Sequence, residues 1–339
     1  MTKPRRGFLF ALVLAAGFAL GFTYEEVHRR RDVAALPRIG KPIDIGQRSL
    51  NLHCAGYGAP PAVLIAGAGT PGVAWTGIEG RIAPFTQTCW ADRAGEGWSD
   101  PAPFPLTSAS DAKDLRDALR NAGVSPPYVL VGHSLGGLDA RVFAALYRND
   151  VAGMVLVDSA HEEEPLRAPK AYLGHVAPQW LWHPLHLLFA AAARLGVIRL
   201  TSPSPRSFPV GAPVSTVQMV DALRRRPQAI ASSASRGLVA STSYSEAHAA
   251  PGIGNRPLIV LTRGKSPKPS GDQTFDRDVA AYENAWQHEM QPQFLRLSPN
   301  SRQIIVRESG HMIPEEAPDV VISAVREIVA GARSGASVK

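Results

Sequence analysis

The sequence predicts an α/β protein: a mostly parallel, eight-stranded sheet with helices on both faces. Three observations predict it. Short apolar runs at 62–66, 128–131, 151–157 and 258–262 alternate with segments whose apolar residues recur at helical spacing. These runs are apolar throughout rather than alternating, as strands buried on both faces are. Residues able to do chemistry, Ser134, Asp158 and His311, follow such runs or the last strand, at the strand ends where parallel sheets bind ligands.

Composition bounds the possibilities. The chain has 339 residues, 45% hydrophobic and 19% charged, enough for a substantial core in one large domain or two ordinary ones. The net charge is +7, yet the only tight basic runs are Arg29-Arg30-Arg31 and Arg224-Arg225-Arg226. Without a long Lys/Arg tract interleaved with aromatics, no nucleic acid is expected as a partner.

The elements follow in chain order. Lys3, Arg5 and Arg6 precede an uncharged stretch from Gly7 to Tyr24, followed by Glu25-Glu26 and the first arginine triplet. An apolar helix of roughly 17–25 residues can cross a bilayer, and no clean small-x-small cleavage site ends the stretch. Residues 1–30 are therefore assigned to a retained signal-anchor and linker, with a cleaved, secreted form as the alternative. Basic residues flank both ends, so charge bias sets no orientation. The large domain that follows favours export of the C-terminal part.

Residues 43–45 and 50–54 alternate apolar and polar and suit paired edge strands turning near Gly46-Gln47. The strand at 62–66 runs into Gly67-Ala68-Gly69, and the one at 88–91 into the glycine-broken loop 92–100. A helix begins near Ser110-Asp111 and stops at Gly123. Residues 128–131 form a strand that turns sharply through Gly132-His133-Ser134-Leu135-Gly136. Leu135, Leu138, Val142, Ala145 and Leu146 then mark a helix. The strand at 151–157 ends at Asp158. From 161 to 254 the alternation breaks: Trp180 to Ala193 reads as helical and 199–213 is rich in Pro and Ser. Alternation resumes with the strand 258–262, a helix around 275–290, the strand 303–306 and a last helix from about Glu315. Residues 37–160 and 255–332 thus form the core, 161–254 an insertion, and 333–339 a disordered tail.

The Gly-x-Ser-x-Gly turn gives a candidate chemistry. Such a turn exposes a serine at its apex while glycines let strand and helix approach. A serine hydroxyl needs a base within hydrogen-bond reach; among ten histidines, His311 stands out, after the last strand and Gly310. His133 adjoins the serine, but neighbouring side chains on such a turn diverge, so it is read as packing beneath the turn. The base needs an acid. Asp158 ends the strand after the serine unit and is preferred; Asp272 is the first alternative, with Asp276 and Asp278 behind it. Oxyanion donors are expected from the backbone N–H groups of Leu135 and Ala68. The Gly67-Ala68-Gly69 loop lacks the Lys-Ser/Thr ending of a nucleotide-binding loop.

These residues together resemble the α/β-hydrolase superfamily from about Ile43 to Val329. The marks are Gly67-Ala68-Gly69, the loop from Asp92 to Asp100, Gly132-His133-Ser134-Leu135-Gly136-Gly137, Asp158-Ser159-Ala160-His161 and Gly310-His311, in that order. Two features depart from the commoner pattern: Ala66-Gly67 stands where many members have His-Gly, and the seventh strand runs into Arg263-Gly264-Lys265 with no carboxylate for several residues. Asp158 matches members whose acid follows the sixth. The resemblance also implies that Cys54 and Cys89 lie on neighbouring strands where a disulfide can form. It implies that the insertion is a helical cap, in which Trp180, Trp182, Leu185 and Phe189 either line an apolar acyl pocket or pack the cap.

The expected function is that of a membrane-anchored, exported serine hydrolase, foremost a carboxylesterase acting on a small ester without metal or cofactor. Perhydrolase, amidase and carbon–carbon bond hydrolase use the same residues. A non-catalytic binding protein on the same fold is the alternative of a different kind.

Overall fold

The computed structural model describes residues 4–169, 179–201 and 214–338. Eight strands, β1 Lys41–Asp44, β2 Ser49–Ala55, β3 Ala62–Ile65, β4 Thr88–Ala91, β5 Tyr128–His133, β6 Val151–Val157, β7 Leu258–Arg263 and β8 Ser301–Val306, form one sheet. Their order is β1-β2-β4-β3-β5-β6-β7-β8. The β1–β2 and β2–β4 pairs are antiparallel and all others parallel.

In chain order the helices are α1 Pro4–Ala35, α2 Thr76–Ile82, α3 Ser108–Asn121, α4 Leu135–Leu146, α5 Glu164–Arg167, α6 Gln179–Arg194 and α7 Val197–Thr201. They continue with α8 Val214–Arg224, α9 Pro227–Leu238, α10 Ala240–His248, α11 Gln273–Ala285, α12 Gln291–Gln293, α13 Ile313–Glu316 and α14 Pro318–Ser334. The helix read around 275–290 divides: α11 ends at Ala285 and a single wide turn, Trp286–Met290, joins it to α12.

The all-apolar strands explain the layering. Val129 and Val131 of β5 point to one face, packed with Ile82, Val321, Val325 and Ile328 of α2 and α14. Tyr128 and Leu130 point to the other, packed with Leu119, Ala140 and Phe143 of α3 and α4. One helix layer on each face buries both, so neither side of the central strands can carry polar residues.

Cys54 and Cys89 stand directly opposite each other on β2 and β4 and are bonded, with an S–S distance of 2.06 Å.

Two segments differ from expectation. Residues 333–338 are not loose: α14 continues to Ser334, Val338 is buried, and its N–H donates to Asn300 Oδ1 at 2.8 Å. One apolar residue among small polar ones gives little sequence signal for this docking. At the other end, α1 continues past the basic triplet to Ala35, because Arg29 and Arg30 each pair with Glu26 one helical turn earlier. Its stretch Gly7–Asp32 is long and apolar enough to cross a membrane. The insertion between β6 and β7 contains α5 to α10; residues 202–213 of the Pro/Ser-rich stretch lie outside the described residues.

Candidate active site

At the carboxyl end of β5 the chain reverses at Ser134, with φ 55° and ψ −123°. A non-glycine residue in this region carries about 1–3 kcal/mol of strain, so the surroundings must hold it. They do: the Ser134 N–H donates to Val157 O at 3.1 Å, and Ser134 O accepts from the N–H groups of Gly137 and Ala160, both at 3.0 Å. The flanking glycines are sterically required. A Cβ on Gly132 would lie 2.3 Å from Gly136 O, and one on Gly136 would lie 2.2 Å from Ile65 O. The sharp turn lifts the Ser134 hydroxyl clear of the sheet.

His311, in the loop between β8 and α13, places Nε2 3.1 Å from Ser134 Oγ and Nδ1 2.6 Å from Asp158 Oδ2. An ionised carboxylate only accepts hydrogen bonds, so Nδ1 carries the proton and Nε2 is free to accept from the serine hydroxyl. Asp158 follows β6 with φ 42° and is fully buried. Its N–H donates to Leu261 O at 2.7 Å, which seats it beside the end of β7.

Four donors converge on this carboxylate. Oδ1 accepts from the Arg263 N–H at 3.1 Å and from Trp286 Nε1 at 2.7 Å; Oδ2 accepts from Arg263 Nη1 at 2.8 Å and from His311. Burial alone would push its pKa up, but the Arg263 charge and the His311 and Trp286 hydrogen bonds outweigh it and hold Asp158 far below the ordinary carboxylate range. Arg263 is held in turn by Glu283 and stacks over the Trp286 ring at 4.2 Å. The end of β7, empty of carboxylates in the sequence, supplies the cation that pairs with the carboxylate following β6.

The alternative acids are occupied elsewhere. Asp272 caps α11, accepting from the N–H groups of Thr274 and Phe275. Asp276 accepts from Ser270 and Gly271, and Asp278 faces Arg277.

His133 does more than fill space. Its Nε2 lies 2.9 Å from His311 O, and the two rings are 4.9 Å apart. Because a carbonyl only accepts, His133 Nε2 must carry the proton. Burial, reinforced by the His311 charge, pushes the His133 pKa down to about 4, so the ring is neutral near pH 7. It therefore ties the His311 backbone to the serine turn.

Ala68 and Leu135 both line the cavity at Ser134. Leu135 is the first residue of α4, where the N–H has no partner within the helix and the helix dipole favours negative charge. The loop carrying Ala68 is gripped by a residue the sequence reading did not single out. Arg93 donates to Ala66 O at 2.5 Å and Gly67 O at 3.2 Å, while its Nε and Nη2 reach Asp139 on α4 at 2.8 and 2.6 Å. One buried guanidinium thus fixes the loop relative to the helix that begins at Leu135. Asp139 also accepts from Ser108, and Asp111 beside it takes both arms of Arg236 from α9 at 2.8 Å each. This buried network joins the insertion to the core.

The cavity, about 240 Å³, is walled by Leu106, Leu135, Leu138 and Ala160 of the core and by Ser233, Arg236, Gly237, Ala240, Ser243 and Tyr244 of α9 and α10. Among the described residues that wall it, neither Trp180 nor Phe189 of the aromatic stretch appears. Trp180 and Phe189 on α6 are 74% and 53% exposed, and the side chains of Trp182 and Leu185 lie outside the described residues. Small residues on α9 and α10 let those helices approach Ser134, while α6 packs behind α9. Glu164 of α5 also lines the cavity; burial pushes its carboxyl up, partly offset by Arg263 and His311. Among the described residues, no group of three or more His, Cys, Asp or Glu is arranged to hold a metal ion.

Comparison with known proteins places the fold. Residues 62–324 match the family model described as the alpha/beta hydrolase family. An uncharacterised Bacillus subtilis protein, YbdG, is 26% identical over 152 residues, covering 44% of this chain and 46% of its own. The chain spans less than half the length of the curated relatives it matches. Among solved structures, a thermophilic esterase from Thermogutta terrifontis is 19% identical with a TM-score of 0.56, covering 88% of this chain and 100% of its own. The epoxide hydrolase CorEH is 18% identical with a TM-score of 0.61, covering 86% and 98%. At such identities the likeness concerns the fold, which an esterase and an epoxide hydrolase share. With more than two hundred consecutive residues matching its model, from β3 into α14, the chain belongs to the alpha/beta hydrolase family.

Proposed function

We propose that this family member is a serine hydrolase cleaving carboxylic esters. The observation that carries the reading is His311, within hydrogen-bond reach of Ser134 Oγ on one side and of Asp158 on the other. In this reading Ser134 Oγ attacks the carbonyl carbon while His311 Nε2 takes the hydroxyl proton. Asp158 keeps the ring in the required tautomer and stabilises its positive charge. The N–H groups of Ala68 and Leu135 receive the developing oxyanion. His311 returns the proton to the departing alcohol, and the acyl group stays on Ser134. Water then attacks with His311 as base, and His311 passes that proton to Ser134 Oγ as the acid leaves. The cavity under α9 and α10 suits a small acyl group with an apolar part, and no step requires a metal or cofactor.

The disulfide suits an oxidising compartment, in keeping with α1 as a retained anchor and a catalytic domain outside the cytosol. Amide, peroxide and carbon–carbon bond chemistry remain competing outcomes for the same three residues. A panel of esters, amides, peptides, β-diketones and acetate with hydrogen peroxide, offered to the full chain in detergent beside Ser134→Ala, separates them. Ester turnover lost in Ser134→Ala is the expected result. Turnover of none of these substrates by the folded chain would leave a binding protein and overturn the proposal.

A further inference from the structure

Beyond the site, the insertion carries an apolar surface with no role in the chemistry proposed above. On α6 and α7, Leu187, Leu188, Phe189, Val197 and Leu200 are between 44% and 67% exposed. Scattered exposed leucines need no explanation, but these five share one pair of helices, and the pair is fastened to α1. Arg199 donates from Nε and Nη2 to Glu25 at 2.9 and 3.0 Å and from Nη1 to Asp32 at 2.8 Å. Glu25 is only 4% exposed, so this pairing lies within the contact between the helices.

The backbones also meet closely. A Cβ on Gly21 would lie 2.7 Å from Leu195 O, and one on Gly196 would lie 2.7 Å from the Tyr24 ring. The turn between α6 and α7 therefore sits against the last turn of the uncharged stretch of α1. That stretch is itself apolar and open, with Phe8, Leu9, Phe10, Val13, Phe18 and Leu20 all at least half exposed.

Depth follows from this contact. If Gly7 to Tyr24 lies in the hydrocarbon core, Gly21 and Tyr24 mark its exit, and Leu195 and Gly196 stand at the same height. Helices with an apolar face at such a boundary bury it about 5–10 Å into the headgroup and acyl region. We propose that the exposed apolar face of α6 and α7 is a membrane-contacting surface, resting in the lipid leaflet from which α1 emerges. The occupant is the bilayer itself. The surface continues that of α1, and the Glu25–Arg199–Asp32 pairing fixes the two in register. The proposal rests on α1 lying in a bilayer and is independent of the chemistry at Ser134.

Cys54 and Cys89 are paired, so one introduced cysteine is the only free thiol. The full chain is reconstituted in phosphatidylcholine–phosphatidylglycerol vesicles carrying a lipid-borne quencher. An environment-sensitive fluorophore is placed at Leu188→Cys or Leu200→Cys on the face, at Leu14→Cys within α1, or at Ser125→Cys. Ser125 is exposed beside the amino end of β5, at the far end of the sheet. The expected result is strong quenching at 14 and quenching at 188 and 200 at least about threefold above that at 125, with blue-shifted emission. Quenching at 14 with 188 and 200 as wet as 125 overturns the surface alone. No quenching at 14 overturns the anchor, and the surface with it. Arg199→Glu, which sets a negative charge against Glu25 and Asp32, is expected to bring quenching at 188 down toward the value at 125; unchanged quenching would overturn the pairing as the element that holds the face on the bilayer.

Discussion

Substituting Asp158 by Asn tests the acid in a way the structure makes quantitative. Both carboxylate oxygens face only donors: Oδ1 faces the Arg263 N–H and Trp286 Nε1, and Oδ2 faces Arg263 Nη1 and His311 Nδ1. The amide nitrogen of Asn must therefore oppose donors wherever it sits. A backbone N–H and an indole N–H cannot change character, whereas an imidazole can shift its proton. The less costly orientation turns the amide NH₂ toward His311, which then accepts at Nδ1 and carries its proton on Nε2. That tautomer cannot take the proton of Ser134. The expected loss in kcat is about 10⁴-fold, or about 5.5 kcal/mol in barrier.

The same substitution removes one counter-charge from buried Arg263. Breaking a buried pair costs about 3–5 kcal/mol, and retention of Glu283 places this case at the low end, about 3 kcal/mol. The assay is turnover of a short-chain aryl ester beside urea unfolding of the same preparation. Asp272→Asn is the control: Asn caps a helix as well as Asp, so activity and stability are expected to stay within about twofold and 0.5 kcal/mol of the parent. A folded Asp158→Asn protein retaining kcat within a factor of ten, or a collapse confined to Asp272→Asn, would refute the reasoning.

Three further outcomes are expected. His133 is neutral in the native state and titrates near 6.5 when unfolded, so between pH 6.5 and about 4 the unfolded chain binds the extra proton. Stability from this group is complete above pH 6.5 and falls with pH, by about 3 kcal/mol at pH 4; urea midpoints across that range should fall less steeply in His133→Gln than in the parent. Gly136→Ala drives a Cβ to within 2.2 Å of the β3 backbone at Ile65 O, and is expected to cost at least about 3 kcal/mol, or to lower expression and ester turnover together. Reducing the Cys54–Cys89 bridge, which spans 35 residues, is expected to lower the unfolding free energy by up to about 4 kcal/mol; an unchanged urea midpoint on reduction would contradict a structural role.

What could be read from the sequence follows a physical divide. Strand identity and the positions of Ser134, Asp158 and His311 are encoded locally, in apolar runs that end in Gly, Ser or Asp. The setting of Asp158 is not local. It depends on Arg263 and Trp286, more than a hundred residues from Asp158, and becomes visible only when β6 and β7 lie in register with Val157 beside Leu261. In the sequence Arg93 is one residue of a glycine-broken loop, since its partners, the Ala66 and Gly67 carbonyls and Asp139, come from two other elements. An arginine directly after a strand, in Asp92-Arg93, is the signal the sequence offers. The insertion is the least legible: the sequence leaves Trp180, Trp182, Leu185 and Phe189 between pocket wall and cap packing, whereas the approach to Ser134 is made by small residues on α9 and α10, and Trp180, Leu188 and Phe189 on α6 are exposed.

The central claim is that Ser134 is a nucleophile activated by its surroundings. Reaction of the full chain with a fluorophosphonate, read by intact mass and peptide mapping, tests it most directly. The account predicts a single adduct on Ser134, lost in Ser134→Ala and slowed in His311→Ala. A folded protein that takes no adduct, or a Ser134→Ala variant labelled as fast as the parent, would contradict it.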